Sequence, residues 1–114
     1  MTAPRLATSV LASVLIRRAE SDGGFAALLK KGDPTAGAML VILNEKGRKE
    51  RVLERILQGD GVYAWADVGR VSTEDDEEFK KFLERRRKFD PDIWLIELDV
   101  PSAERFAAEM NSCD

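Results

Sequence analysis

The sequence predicts an α+β fold: a mainly antiparallel sheet of about four to five strands, with helices at roughly 5–21, 73–89 and 101–110. Three observations predict it. Two apolar runs, Ala38–Leu43 and Ile93–Leu98, are short and carry Val or Ile at their centres, the pattern of buried strands. Turn-forming tetrapeptides, "NEKG" at 44–47 and "QGDG" at 58–61, punctuate the middle of the chain. Residues 73–89, in contrast, combine dense charge with apolar residues at helical spacing. With 114 residues and 44% hydrophobic content, residues 1–114 are expected to form a single domain around one core.

Taken in order, Leu6, Ala7, Val10, Leu11, Val14 and Leu15 fall on one half of a helical wheel, with Ile16 off the stripe. Pro4 suits the first turn of that helix, Arg17 and Arg18 its last, and Gly23–Gly24 a stop. Phe25–Lys30 is expected to pair with Ala38–Leu43 as a hairpin across the turn-rich "KGDPTAG", although a short helix at 25–30 is equally permitted. Residues 48–58 fit either a helix, through Val52, Leu53, Ile56 and Leu57, or a long strand. The flanking turns favour the strand, with "VYAWADV" at 62–68 as its partner. In the helix at 73–89, Ser72 or Thr73 is the cap and Phe79, Phe82 and Leu83 form the buried stripe. Its acids come first and its bases last, which suits the helix dipole and sets acid-first pairs such as Asp76–Lys80, Glu77–Lys81 and Glu84–Lys88 four residues apart. Asp90–Pro91 ends it. The strand that follows puts Trp94, Ile96 and Leu98 on one face and Ile93, Leu95 and Glu97 on the other, and Pro101–Ser102 open a last helix with Phe106 and Met110 inward.

Composition excludes whole classes of function. There is no histidine, so serine and cysteine triads, zinc hydrolysis and two-histidine iron sites are ruled out in their ordinary forms. The single cysteine, Cys113, permits neither an internal disulfide nor a cysteine-based metal site. A net charge of -3 and a pI near 5.1 argue against a dedicated nucleic-acid binder. The apolar stretch at 6–16 is interrupted by Thr8, Ser9 and Ser13 and is too short to span a bilayer, so a cytoplasmic protein without a membrane partner is expected. No cofactor is implied.

The densest chemistry lies in "RRRKFDPDIWLIELD" at 85–99. Its basic run reads as cations that neutralise a helix C-terminus and balance the acids before them, so that the local field largely cancels beyond about 8–10 Å at physiological salt. Phe82 and Phe89 sit where a core would use them. Asp90 and Asp92 are two carboxylates two residues apart, which could hold a hard cation only with further ligands such as Asp33, Glu97 or Asp99. A turn whose carboxylates bind backbone N–H groups is the plainer account. Trp94 reads as core before ligand platform.

"IRRAESDGGFAALLKKGDPTAGAMLV" together with "FDPDIWLIELD" resembles an alphaproteobacterial family catalogued as domain of unknown function 1491. The resemblance rests on Arg17 and Arg18, Gly24–Ala26, Lys31–Asp33 with Ala36 and Gly37, and Phe89–Trp94. It implies a small bacterial cytosolic protein and carries over no activity, ligand or site.

Two functional readings follow, with a third ranked last. The first is a non-catalytic interaction module, self-associating or bound to a protein partner, because a strand apolar on both faces must be central or covered by another subunit. The three helices are expected to cover one face of the sheet and leave the other exposed. The second is a small anionic-ligand or cation-dependent site gathering Arg17, Arg18, Lys31, Asp33, Asp90, Asp92 and Trp94. The third is nucleic-acid binding through Lys80–Lys88.

Overall fold

A computed structural model describes residues 7–68 and 76–112, with the two apolar runs side by side at the centre of one sheet. The strands are β1 (Phe25–Lys30), β2 (Met39–Glu45), β3 (Arg48–Leu57), β4 (Tyr63–Asp67) and β5 (Trp94–Asp99), in the spatial order β1-β5-β2-β3-β4. The β2–β5 pair is parallel and the other three pairs are antiparallel. The helices are α1 (Thr8–Ser21), α2 (Asp76–Phe89) and α3 (Ala103–Ser112). Pro4, Leu6, the caps Ser72 and Thr73, the acids Glu74 and Asp75, and Cys113 lie outside the described residues.

The hairpin between the first two strands does not form. β1 pairs with β5, and β5 separates it from β2. The physical reason lies in the sequence of β5: apolar on both faces, it gains most by lying between two strands and two layers. The other two turns behave as expected. Lys46 and Gly47, with φ of 52° and 79°, make the tight primed turn between β2 and β3. The segment 48–58 is strand, and Gln58 N–H donates to the Val62 carbonyl at 2.9 Å to close the β3–β4 hairpin.

The helices cover both faces, not one. On one side α1 and α3 pack over Met39, Val41, Leu43, Trp94, Ile96 and Leu98; on the other, α2 brings Phe79, Phe82 and Leu83 onto Leu40, Ile42, Ile93 and Leu95. The alternation expected within β5 is thus observed.

α1 is rotated from its expected stripe. It buries Thr8, Ala12, Leu15 and Ala19, packs Leu11 and Ile16 partly, and leaves Val10 and Val14 exposed. The face it uses is the one with small residues, which let the helix backbone approach the sheet closely.

Arg86 sits on Glu54, which pairs with Leu40 near the start of β2, and Phe89 ends the helix, followed directly by the Asp90–Pro91 turn and outside the cluster that Phe79, Phe82 and Leu83 form with the sheet. Phe89 therefore stands 83% exposed, contrary to its expected place in the core.

Candidate interaction surface

The loop after β1 and the turn before β5 are interlocked. Asp33 N–H donates to the Asp92 carbonyl at 3.0 Å, and the indole Nε1–H of Trp94 donates to the Asp33 carbonyl at 2.7 Å. Two glycines make this approach possible: a Cβ on Gly32 would stand 2.2 Å from the Asp92 carbonyl oxygen, and one on Gly37 2.3 Å from the same atom. The loop also caps α1, whose own cap position, Ala7, has no side-chain acceptor. Thr8 N–H donates to the Thr35 carbonyl at 3.3 Å and Ser9 N–H to the Pro34 carbonyl at 3.0 Å. The motifs "KGDPTAG" and "FDPDIW" are thus two halves of one clasp.

This clasp uses the groups singled out as ligands. The Asp33 Oδ1 accepts the N–H groups of Thr35 and Ala36 at 2.8 and 2.9 Å, and these bonds, Ala36 first, hold its carboxyl below the usual carboxylate range. Asp90 Oδ1 accepts Asp92 N–H at 3.2 Å, and Trp94 is buried. The arginine pair lies elsewhere. Arg18, ten residues along α1 from Thr8 and so about 15 Å away along its axis, pairs with Glu109 of α3 at 2.9 Å and lies over the Phe106 ring. Arg17 and Lys31 are exposed. The fold therefore brings Asp33, Asp92 and Trp94 together and leaves the arginines apart from them. Among the described residues no three His, Cys, Asp or Glu groups cluster as metal ligands do.

The basic run of α2 is partly engaged. Arg86 makes a two-pronged contact with Glu54, at 3.1 and 2.5 Å, which raises the guanidinium pKa. At the other end of the helix, Asp76 pairs with Lys49 of β3 at 3.1 Å, where the expected partner is Lys80.

Depressions open on the described surface, two of them beside these elements. One, of about 530 Å³, is lined by Ala7, Thr35, Gly37, Met39, Arg55 and Tyr63, and the first N–H groups of α1 beside it are already bonded to loop carbonyls. The other, of about 260 Å³, runs beside α2 between Leu29, Ile42, Phe79, Leu83 and Glu97.

The sheet edges complete the picture. β4 is bridged at its middle residue: Trp65 N–H donates to Asn111 Oδ1 at 2.8 Å, and Asn111 Nδ2 donates back to the Trp65 carbonyl at 2.9 Å. The α3 side chain thereby stands in for a neighbouring strand. At β1, no described residue bonds to the outer edge. Its large side chains are in water: Phe25 is 76% exposed, Leu28 47% and Leu29 44%. Its one lysine, Lys30, turns inward to the carbonyls of Pro91 and Ile93 at 2.5 and 3.2 Å. Sequence reasoning missed this edge because Phe25–Leu29 reads as an inner hairpin strand, and it missed Asn111 because a helical asparagine carries no mark of its target.

The described residues define a layered α+β protein, a five-stranded sheet covered by α1 and α3 on one face and α2 on the other, with the β4 edge bridged at Trp65 and the β1 edge bonded to no other described residue. A family model described as "Protein of unknown function (DUF1491)" matches residues 6–108, and the chain belongs to that family. It is similar to a DUF1491 family protein from Caulobacter crescentus CB15 seen in a crystal structure, with 35% identity over 90% of this chain and 94% of that one and a TM-score of 0.78. An NMR structure of a DUF1491 family protein from the same organism matches at 33% identity, 91% and 94% coverage and a TM-score of 0.76. Protein Atu0922 from A. tumefaciens, in its solution structure, matches at 30% identity, 90% and 92% coverage and 0.73. No curated protein matches. No helix among the described residues is long and apolar enough to cross a membrane.

Proposed function

We propose that this chain is a non-catalytic interaction module of the bacterial cytoplasm, working as one domain over residues 1–114 and binding through the outer edge of β1. The observation that carries this reading is the contrast between the edges. An open edge with exposed apolar side chains is a template for an added strand, and proteins normally blunt such edges with charge, proline or a cover. β4 has its cover in Asn111, whereas the lysine of β1 is turned away. The bonds that occupy Asp33, Asp90 and Trp94 support a structural role for the clasp.

The test is the size of the native assembly. In lysate of the source cell, the wild-type chain should elute well above its 12.7 kDa mass. The paired change Leu28→Lys and Leu29→Lys, at exposed positions, should return it to monomer size with its thermal stability kept. A wild-type chain that elutes as a monomer would overturn the reading.

One observation favours a second reading. Exposed Phe89 next to Arg85, Arg87 and Lys88 offers a stacking group among cations, the combination single-stranded nucleic acid uses. Its test is retention on immobilised RNA, which must fall with salt and with Phe89→Ala.

A further inference from the structure

We infer that the strand added at the β1 edge is β1 of a second copy of this chain, antiparallel, with Ala27 on the two-fold axis. This rests on the interaction-module reading and names its partner.

Three observations lead to it. The first is charge. β1 is entered from Glu20 and Asp22 and left through Lys30 and Lys31, with Glu20, Asp22 and Lys31 exposed. An antiparallel neighbour of the same sequence sets the acidic end of one copy beside the basic end of the other. A parallel neighbour would set like charges together.

The second is which face each side chain takes. Phe25 stands opposite Asp99 and Ala27 opposite Glu97 in the pairing with β5, while Leu29 lines the depression beside α2 with Glu97. These residues therefore share the α2 side of the sheet. Leu28, opposite Ile96, and Ala26, opposite Leu98, lie on the α1–α3 side. With the two-fold axis perpendicular to the sheet at Ala27, Phe25 meets the second copy's Leu29 on the α2 side. On the other side Leu28 meets the second copy's Ala26. Each exposed large side chain then has an apolar partner, and the pairings nearest the axis have room, because there alanine faces alanine or leucine. A register shifted by one residue would set side chains of opposite faces against each other, which a continuous sheet forbids.

The third is continuity. Two five-stranded sheets joined at β1 form one ten-stranded sheet whose two outer edges are both β4, each bridged at Trp65 by Asn111. Closed two-fold pairing thus uses the unbridged edge of each copy and leaves only the bridged ones outside.

The test uses the purified full-length chain in sedimentation across micromolar concentrations. The expected result is reversible doubling of the 12.7 kDa mass. Asp22→Lys and Lys31→Glu should each weaken association by about three- to tenfold, the range for exposed pairs present twice per dimer. The double variant, which swaps the two ends, should restore it. Ala27→Lys should abolish doubling, since two lysines then meet on the axis; within its own chain the new lysine faces Glu97, so the fold is kept. A purified chain that stays monomeric overturns the proposal, and if the lysate assembly still disperses on blocking the edge, the interaction-module reading survives without it. Doubling that ignores all these changes overturns the proposal as well, by placing the contact elsewhere.

Discussion

The two edges of the sheet are made of similar material and end differently. β4 carries Tyr63 and Trp65, β1 carries Phe25, Leu28 and Leu29, and neither has a proline. At β4, a helix that follows β5 in the chain returns over the sheet and spends Asn111 on one residue's N–H and C=O. Arg51 adds a two-pronged pair with Asp67 at 3.0 and 2.7 Å. At β1, the comparable polar contact among the described residues, that of Lys30, runs along the strand end and not across its edge. The difference teaches that an edge is protected by what the rest of the chain delivers to it, and only secondarily by its own composition.

Substitutions at the two edges and their anchors should have unequal effects. The largest effect should come from the anchor at the end of β1. Gly32→Ala drives a methyl into the Asp92 carbonyl and the Trp94 ring, and should cost about 3 kcal/mol or more in urea denaturation. Next, Asn111→Ala should cost about 1–2 kcal/mol, by loss of two hydrogen bonds at a partly solvated edge. It should also speed amide exchange at Trp65. If Trp65 exchange stays slow, the β4 edge is not sealed by Asn111.

Acidification should separate the ends of the two strands by salt dependence. Asp67 is held below its ordinary 3.8 chiefly by its hydrogen bonds to Arg51, and Asp33 by backbone N–H groups. A lowered carboxylate stabilises the fold fully above its unfolded pKa, and this contribution is lost as pH falls through the lower, folded value. Stability should therefore decline below about pH 4. Asp67→Asn should remove the salt-sensitive part of that decline and Asp33→Asn the salt-insensitive part, as read from denaturation midpoints. The smallest effect is expected at the open edge: Leu28→Lys should change the stability of the dilute chain by no more than about 0.5 kcal/mol. A large loss there would mean that Leu28 is packed within its own chain.

Much of this fold was legible where the signal is local. The charge order of α2, its Phe79–Phe82–Leu83 stripe, the turn at Lys46–Gly47 and the alternation within β5 all follow from neighbours a few residues apart. The partner of β1 was not legible, because nothing in "FAALLKKGDPTAG" announces that a strand beginning at Trp94 will be inserted beside it. The face of α1 was misjudged for a related reason. Bulk hydrophobicity favoured Val10 and Val14, whereas close approach to the sheet selected Ala12 and Ala19. The family motifs were recognisable, but their use as a clasp depends on carbonyls and amides, which a side-chain reading does not see.

The insertion of β5 also orders events during synthesis. The β2–β3–β4 meander can zip together as soon as Asp67 has left the ribosome, since all its pairings are between successive strands. β1, made before any of them, has nothing to pair with until residues 94–99 emerge. Until then it is an apolar segment waiting for its neighbour, so nascent chains should depend on holding chaperones at β1.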